Sequence, residues 1–170
     1  NALLTVDLTN PDVYFDQKLV LPKDTLHVVR TMFLWGNTAY QRLRIQNHGD
    51  RAVHCVFGMS FASDFADLFE VRGMQRLRRG ALATPDVDRD RMILAYDGLD
   101  GVRRVTRIGW SLPPTATSMG SIDWEFDLAP DETRTVSLHI DCSEGSVLGD
   151  ESLVEEEPTT YEAAVVRARE

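Results

Sequence analysis

Ile122-Asp123-Trp124-Glu125-Phe126-Asp127-Leu128 alternates strictly between large apolar and acidic residues. A period of two places successive side chains on opposite faces of a strand, so this stretch predicts a strand with one wet face and one buried face. The pattern continues outward in both directions. Downstream, Ala129-Pro130-Asp131-Glu132 reads as a turn, and Val136, Leu138, Ile140 and Cys142 then alternate with Ser137, His139 and Asp141. Upstream, Pro113-Pro114 to Gly120 reads as a loop. Before it, Met92–Tyr96 and Val102–Leu112 form two strand patterns around Asp97-Gly98-Leu99-Asp100-Gly101.

The first half follows the same logic. Residues 3–9 alternate and stop at Asn10-Pro11-Asp12, and Val13 to Val20 suggests a further short strand. Thr25 to Trp35 is apolar on both faces, as a strand buried on two sides would be. Gly36-Asn37 signals a hairpin to Ala39–Asn47. Asn47-His48-Gly49-Asp50 then turns into residues 53–61, where Val53, Cys55, Phe57, Met59 and Phe61 share a face. These three strands predict a meander. About nine strands with short turns and no βαβ spacing predict an all-β fold, an antiparallel sandwich of two packed sheets.

Residues 143–158 contain Glu144, Asp150, Glu151, Glu155, Glu156 and Glu157 and no basic residue, so they read as an acidic linker. Thr159 or Thr160 caps a short C-terminal helix with Tyr161, Ala164, Val165 and Ala168 near one face. The expected organisation is a sandwich over 1–142, a linker over 143–158, and the start of a linker helix over 159–170. The chain opens in mid-strand and its last helix lacks a stop signal. Both features predict a piece of a longer polypeptide, whose remainder would supply the helix with a partner.

The net charge of −9 argues against a broad basic face for nucleic acid. No run approaches the roughly eighteen apolar residues of a membrane helix. Cys55 and Cys142 fall on apolar strand faces and read as small buried hydrophobes in a reducing compartment. With no CxxC and no Cys/His cluster, neither a metal nor a cofactor is expected. Asp97–Gly101 lacks the ligand series of a calcium loop and reads as a turn. Trp35, Trp110 and Trp124 could form a sugar platform, but Trp110 and Trp124 align with the apolar sets and read as core.

One stretch breaks the sheet pattern. Phe61-Ala62-Ser63-Asp64-Phe65-Ala66-Asp67-Leu68-Phe69-Glu70-Val71-Arg72-Gly73 holds three phenylalanines, two aspartates, a glutamate and an arginine. Asp64, Asp67 and Glu70 recur at i, i+3 and i+6, so a helical turn would gather neighbouring carboxylates on one side. A pair of carboxylates can hydrolyse a glycoside, but no sequence spacing specifies one. The plainer reading is a folded corner, with Phe65 and Phe69 buried and the acids paired with Arg72 or a nearby arginine.

Leu3 to Asp12, Arg42 to Asp50, Tyr96 to Gly101 and, most specifically, Phe65 to Gly73 resemble one family. It is the N-terminal domain of bacterial glycogen-debranching-type proteins, the amylo-alpha-1,6-glucosidases. The resemblance spans about residues 3–142. It implies a non-catalytic β-sandwich followed, through a linker helix, by an (α/α) barrel that carries the hydrolytic carboxylates. It also implies a cytoplasmic parent acting on α-glucans. No catalytic residue is therefore expected in this chain. The expected partner is the C-terminal catalytic domain of the same polypeptide, with an α-glucan as a further candidate. Asp64, Phe65, Asp67, Phe69, Glu70 and Arg72 are the candidates for an interdomain contact or substrate rim, because loops on a rigid scaffold carry contacts. A stand-alone carbohydrate-binding module and an oligomerisation domain are the alternatives.

Overall fold

The computed structural model of the chain describes residues 3–146 and 160–168. Its elements are β1 (Leu4–Thr9), β2 (Val13–Phe15), β3 (Lys18–Leu21), β4 (Leu26–Trp35), β5 (Thr38–Asn47), β6 (Val53–Ser60), α1 (Leu68–Val71), β7 (Ala81–Leu82), β8 (Asp86–Val87), β9 (Arg91–Asp97), β10 (Val102–Trp110), β11 (Ala116–Ser118), β12 (Ser121–Leu128), β13 (Thr133–Ser146) and α2 (Tyr161–Arg167). The large sheet runs β1-β4-β5-β13-β10-β9-β7, with β8 also on β9. A three-stranded sheet runs β11-β12-β6, and β2-β3 forms a separate hairpin. All pairings are antiparallel.

The strict alternation of β12 does what its period predicts: Ile122, Trp124, Phe126 and Leu128 are buried. They meet Leu43 and Ile45 of β5, Met92 and Leu94 of β9, Ile108 and Trp110 of β10, and Val136 and Leu138 of β13. The small sheet thus lies on the large one as the second layer of the sandwich. Indole N–H groups that would otherwise be orphaned are satisfied. Trp110 donates to the Arg89 carbonyl at 2.9 Å and Trp124 to the Leu112 carbonyl at 2.8 Å.

The expected three-strand meander does not form. β4 and β5 pair as a hairpin, but the other side of β5 is taken by β13, and β6 pairs with β12 in the opposite sheet. The segment after Asn47 crosses between layers instead of closing a hairpin, and the segment after Leu128 crosses back beside it. Asn47, fully buried, ties the two crossings together. Its side-chain amide donates to the carbonyls of Arg51 (2.8 Å), Leu128 (3.0 Å) and Ala129 (3.2 Å), and its side-chain oxygen accepts from the Gly49 amide.

Two further expectations are corrected. Cys55 is half-buried against the core, and burial pushes its thiol pKa up, but Cys142 is exposed. Cys142 shares the core-side face of β13 with Ile140, at a point the narrower sheet does not cover. The terminal helix is not left partnerless by the described residues. Thr160 caps it, and Tyr161 and Ala164 are buried against Phe33 and Tyr40 on the outer face of β4-β5, with Trp35 packed alongside. Tyr161 meets Phe33 edge-on, donates to Thr31 Oγ1 at 3.1 Å, and lies under the Arg42 guanidinium. β13 runs on to Ser146, and the rest of the expected linker lies outside the described residues.

Candidate functional site: the corner after β6

Beyond β6 the chain leaves the small sheet and folds a corner over the far end of β9. The Phe61 amide donates to the Gly120 carbonyl at 2.7 Å, and Phe61 itself packs on the core. Asp64 accepts from the Ala66 amide at 2.9 Å, an Asx-type turn. That turn puts Phe65 in the left-handed region at φ 48°, an uncommon backbone for an aromatic residue. The ring is held there by stacking on Tyr96, with centroids 5.5 Å and planes 13° apart. Tyr96 also accepts, through its hydroxyl, from the Gly80 amide at 2.7 Å, where the corner ends. Gly80 has no alternative, because a β-carbon there would collide with the Asp97 carbonyl oxygen.

Asp67 is the N-cap of α1. It accepts from the amides of Phe69 (2.9 Å) and Glu70 (2.8 Å), while Glu70 accepts from the Asp67 amide at 3.1 Å. This reciprocal capping box fixes the single helical turn. The Glu70 side chain is 12% exposed, with Arg79 on one oxygen at 3.2 Å and Arg76 on the other at 3.5 Å. Arg76 also pairs with Asp67, and Arg79 donates to the Asp64 carbonyl.

The six candidates are therefore brought into one corner, but not in one role. Asp64, Asp67 and Glu70 build it, and Phe65 anchors it on the sheet. Asp64 precedes the N-cap, so the three carboxylates do not share a helical face. One expectation is overturned, and of the arginines open to the acids the nearby ones are used, not Arg72. Phe69 is 57% exposed, not buried, because α1 is too short to turn it inward. The acids pair with Arg76 and Arg79, while Arg72, the C-cap residue, makes no ion pair among the described residues. Both Glu70 oxygens are engaged by arginines, an arrangement that holds the loop together.

What the sequence reading missed is an apolar row on this corner. Leu68, Phe69, Val71, Met74 and Leu77 are all more than half exposed, and Leu77 is fully so. Residues 74–77 lie in an irregular stretch, and apolar side chains without a period carry no signal of which way they face. Elsewhere Trp110 and Trp124 are core residues, so they form no sugar platform. Among the described residues no group of His, Cys, Asp or Glu is arranged to hold a metal ion, and no helix is long and apolar enough to cross a membrane.

A large antiparallel sheet backed by a smaller one, with a capped helix on its outer face, makes a two-layer β-sandwich. A protein from the human microbiome described as a kojibiose phosphorylase has the same fold, with a TM-score of 0.58 at 10% identity. The match covers 98% of this chain and 20% of that one, so the chain spans about a fifth of its length. An Escherichia coli protein described as an aldose 1-epimerase aligns over 83% of this chain and 65% of its own, at 12% identity and a TM-score of 0.41. No curated protein matches the sequence. The family itself is resolved by its sequence profile: over residues 1–139 the chain belongs to the N-terminal domain of (some) glycogen debranching enzymes.

Proposed function

We propose that this domain is the non-catalytic N-terminal sandwich of a cytoplasmic, amylo-alpha-1,6-glucosidase-type glycoside hydrolase acting on α-glucans. In this reading it packs against the catalytic domain that follows and shapes the mouth of its active site through the corner after β6. The observation that carries the reading is the exposed row Leu68, Phe69, Val71, Met74 and Leu77 on a corner whose Asp67 and Glu70 carboxylates are paired with Arg76 and Arg79. Water-exposed apolar side chains gathered in one place mark a surface built to be covered. The family supplies the class of neighbour, a following domain of the same polypeptide. Cys142, an exposed free thiol, suits a reducing compartment.

The test uses the full-length polypeptide. Leu68→Ser with Leu77→Ser should lower its melting temperature and its α-glucan hydrolysis. Each leucine contributes roughly 1.5–3 kcal/mol when fully covered. The same pair in the isolated domain should leave stability unchanged, since both side chains are already exposed there. Full-length activity and stability equal to the parent would overturn the reading. Arg72→Ala tests the rim contribution in the same assay.

A further inference from the structure

The two edges of the large sheet are treated differently. On one side, β7 and β8 are two residues each, and Pro85 stands between them. Short, interrupted edges are how sheets avoid pairing with other chains. On the other side, β1 is six residues long, Leu4-Thr5-Val6-Asp7-Leu8-Thr9, with no proline, glycine or lysine. Only β4 pairs with it among the described residues, so its outer row of backbone groups is open. Its core-side residues are set by register opposite Met32, Arg30 and Val28: they are Leu4, Val6 and Leu8. Leu4 is 53% and Leu8 49% exposed.

Directly after β1 stands the β2-β3 hairpin, which pairs with no other strand among the described residues. Its base is clamped. Asn10 donates to the Pro22 carbonyl at 2.7 Å and accepts from the Leu26 amide at 2.7 Å, while Asp12 accepts from the Lys23 amide at 2.7 Å. From this rigid base the arm presents Val13, Tyr14, Phe15, Leu19 and Val20, all exposed. An isolated two-stranded hairpin is marginal in water, and one with apolar residues on both faces is more so.

We propose that β1 and its adjoining arm are a self-association surface, on which a second copy of this chain pairs β1 antiparallel with β1 about a twofold axis. The strand fits itself. A twofold perpendicular to the sheet keeps the core-side faces together, which admits only registers without a one-residue slip. The register centred on Val6 sets Val6 opposite Val6 of the other copy, Leu4 opposite Leu8, and Thr5 opposite Asp7, apolar on apolar and hydroxyl on carboxylate. The next register along would set Asp7 against Asp7, a like-charge pair. Although the chain carries −9 overall, residues 12–24 hold three aspartates and both of its lysines, so the arm is close to neutral. Using about 200 Å² for a large side chain, the exposed apolar area of β1 and the arm is on the order of 800 Å² per copy, about what a standard interface needs. β6 also ends a sheet, but Gly58 interrupts it, and the exposed apolar row that follows it lies on the separate corner described above.

This surface is separate from the corner after β6. The two lie at opposite edges of the large sheet, six strand spacings or on the order of 30 Å apart, and at opposite ends of its strands. The inference does not rest on the interdomain reading, and one can fail without the other.

The test is site-directed disulfide trapping in the full-length polypeptide, in a Cys55→Ala, Cys142→Ser background and a glutathione redox buffer. Opposed residues of an antiparallel pair have Cα atoms about 4.5–5.5 Å apart, within the span of a disulfide. Val6→Cys should therefore give about tenfold more covalent dimer than Leu4→Cys or Leu8→Cys alone, whose copies sit off the axis. Mixing the Leu4→Cys and Leu8→Cys proteins should restore the cross-link. Without any disulfide, Val6→Lys should shift the light-scattering mass from dimer to monomer with the circular dichroism unchanged. A monomeric parent at tens of micromolar, equal trapping at all three positions, or a dimer that survives Val6→Lys would each overturn the proposal.

Discussion

The side-chain amide of Asn47 donates to the Leu128 carbonyl across 81 positions of chain, at 3.0 Å and in full burial. That bond sits where both crossings between the two sheets pass. The backbone there is interlocked as well: the Asn47 amide donates to Glu132 and the Asp131 amide donates to Asn47, at 3.0 and 2.8 Å. One residue thus holds the corner at which a pair of would-be hairpins becomes a sandwich.

Asn47→Ala leaves the carbonyls of Leu128, Ala129 and Arg51 short of a donor. Buried acceptors without partners cost about 1–3 kcal/mol each in the worst case, so a total loss of roughly 2–4 kcal/mol is expected. Urea unfolding of the variant against the exposed control Arg51→Ala checks this. A midpoint equal to the control would show that water replaces the amide at no cost.

Two histidines should oppose one another in the pH dependence of stability. His54, on the exposed face of the small sheet, is held by Asp127 at 2.9 Å and Glu125 at 3.1 Å. The hydrogen bond to Asp127, then the charges of both acids, raise its pKa above the ordinary value. Its contribution is present below the unfolded pKa, about 6.5, and is lost as pH rises through the folded value. His139 lies on the outer face of β13 over Gly109, where no β-carbon would fit. Burial lowers its pKa, outweighing the nearby Asp141. Its contribution is present above about 6.5 and is lost as pH falls through the folded value. His54→Gln should therefore make stability rise more steeply from pH 5 to 8, and His139→Gln should do the reverse. Thermal melts across that range read both slopes, and parallel profiles for the two variants would refute the assignment.

The packing of α2 predicts a third outcome. A seven-residue helix is too short to persist alone, so its order depends on Tyr161 and Ala164. Tyr161→Ala removes the edge-on contact with Phe33, the bond to Thr31 and the surface under Arg42. A loss of roughly 3–5 kcal/mol is the ceiling for emptying a buried aromatic site, and less is expected where the helix detaches instead. Hydrogen exchange should then show residues 161–168 unprotected while β12 stays protected. Retained protection in 161–168 would mean that Ala164 alone docks the helix.

Period-two patterning made the strands legible. β12, β13, β5 and β6 each read correctly because half of their residues must face a core, and Trp110 and Trp124 declared themselves by joining those sets. The pairings closed by Gly36-Asn37 and by Asp97–Gly101 were legible too, but those between strands distant in sequence were not. Asn47-His48-Gly49-Asp50 has the chemistry of a tight turn whether it closes a hairpin or crosses layers, and the deciding partners, Leu128 and Ala129, are distant in sequence. Cys142 misled for a related reason. Alternation assigns it to the core-side face correctly, but not how far a three-stranded sheet extends over that face. At the corner, the carboxylates and the helical turn were visible. The choice of Arg76 and Arg79 over Arg72 was not, because in an irregular stretch the nearest charge in sequence need not be the nearest in space.

The corner also separates two effects at Phe65 that usually act together. Its ring stabilises by stacking on Tyr96, while its backbone, at φ 48°, is unfavourable for any residue with a β-carbon. Phe65→Ala loses the stack and keeps the backbone cost. Phe65→Gly loses the stack and removes most of that cost, since glycine adopts positive φ readily, though it adds freedom to the unfolded chain. Both variants should be less stable than the parent, but glycine should be the milder change by about 1 kcal/mol, reversing the order expected at an ordinary loop position. Chemical denaturation of the three proteins measures the difference. Alanine equal to or better than glycine would mean that the left-handed turn at Phe65 relaxes once the ring is gone, and that the Tyr96 stack, not Asp64, creates it.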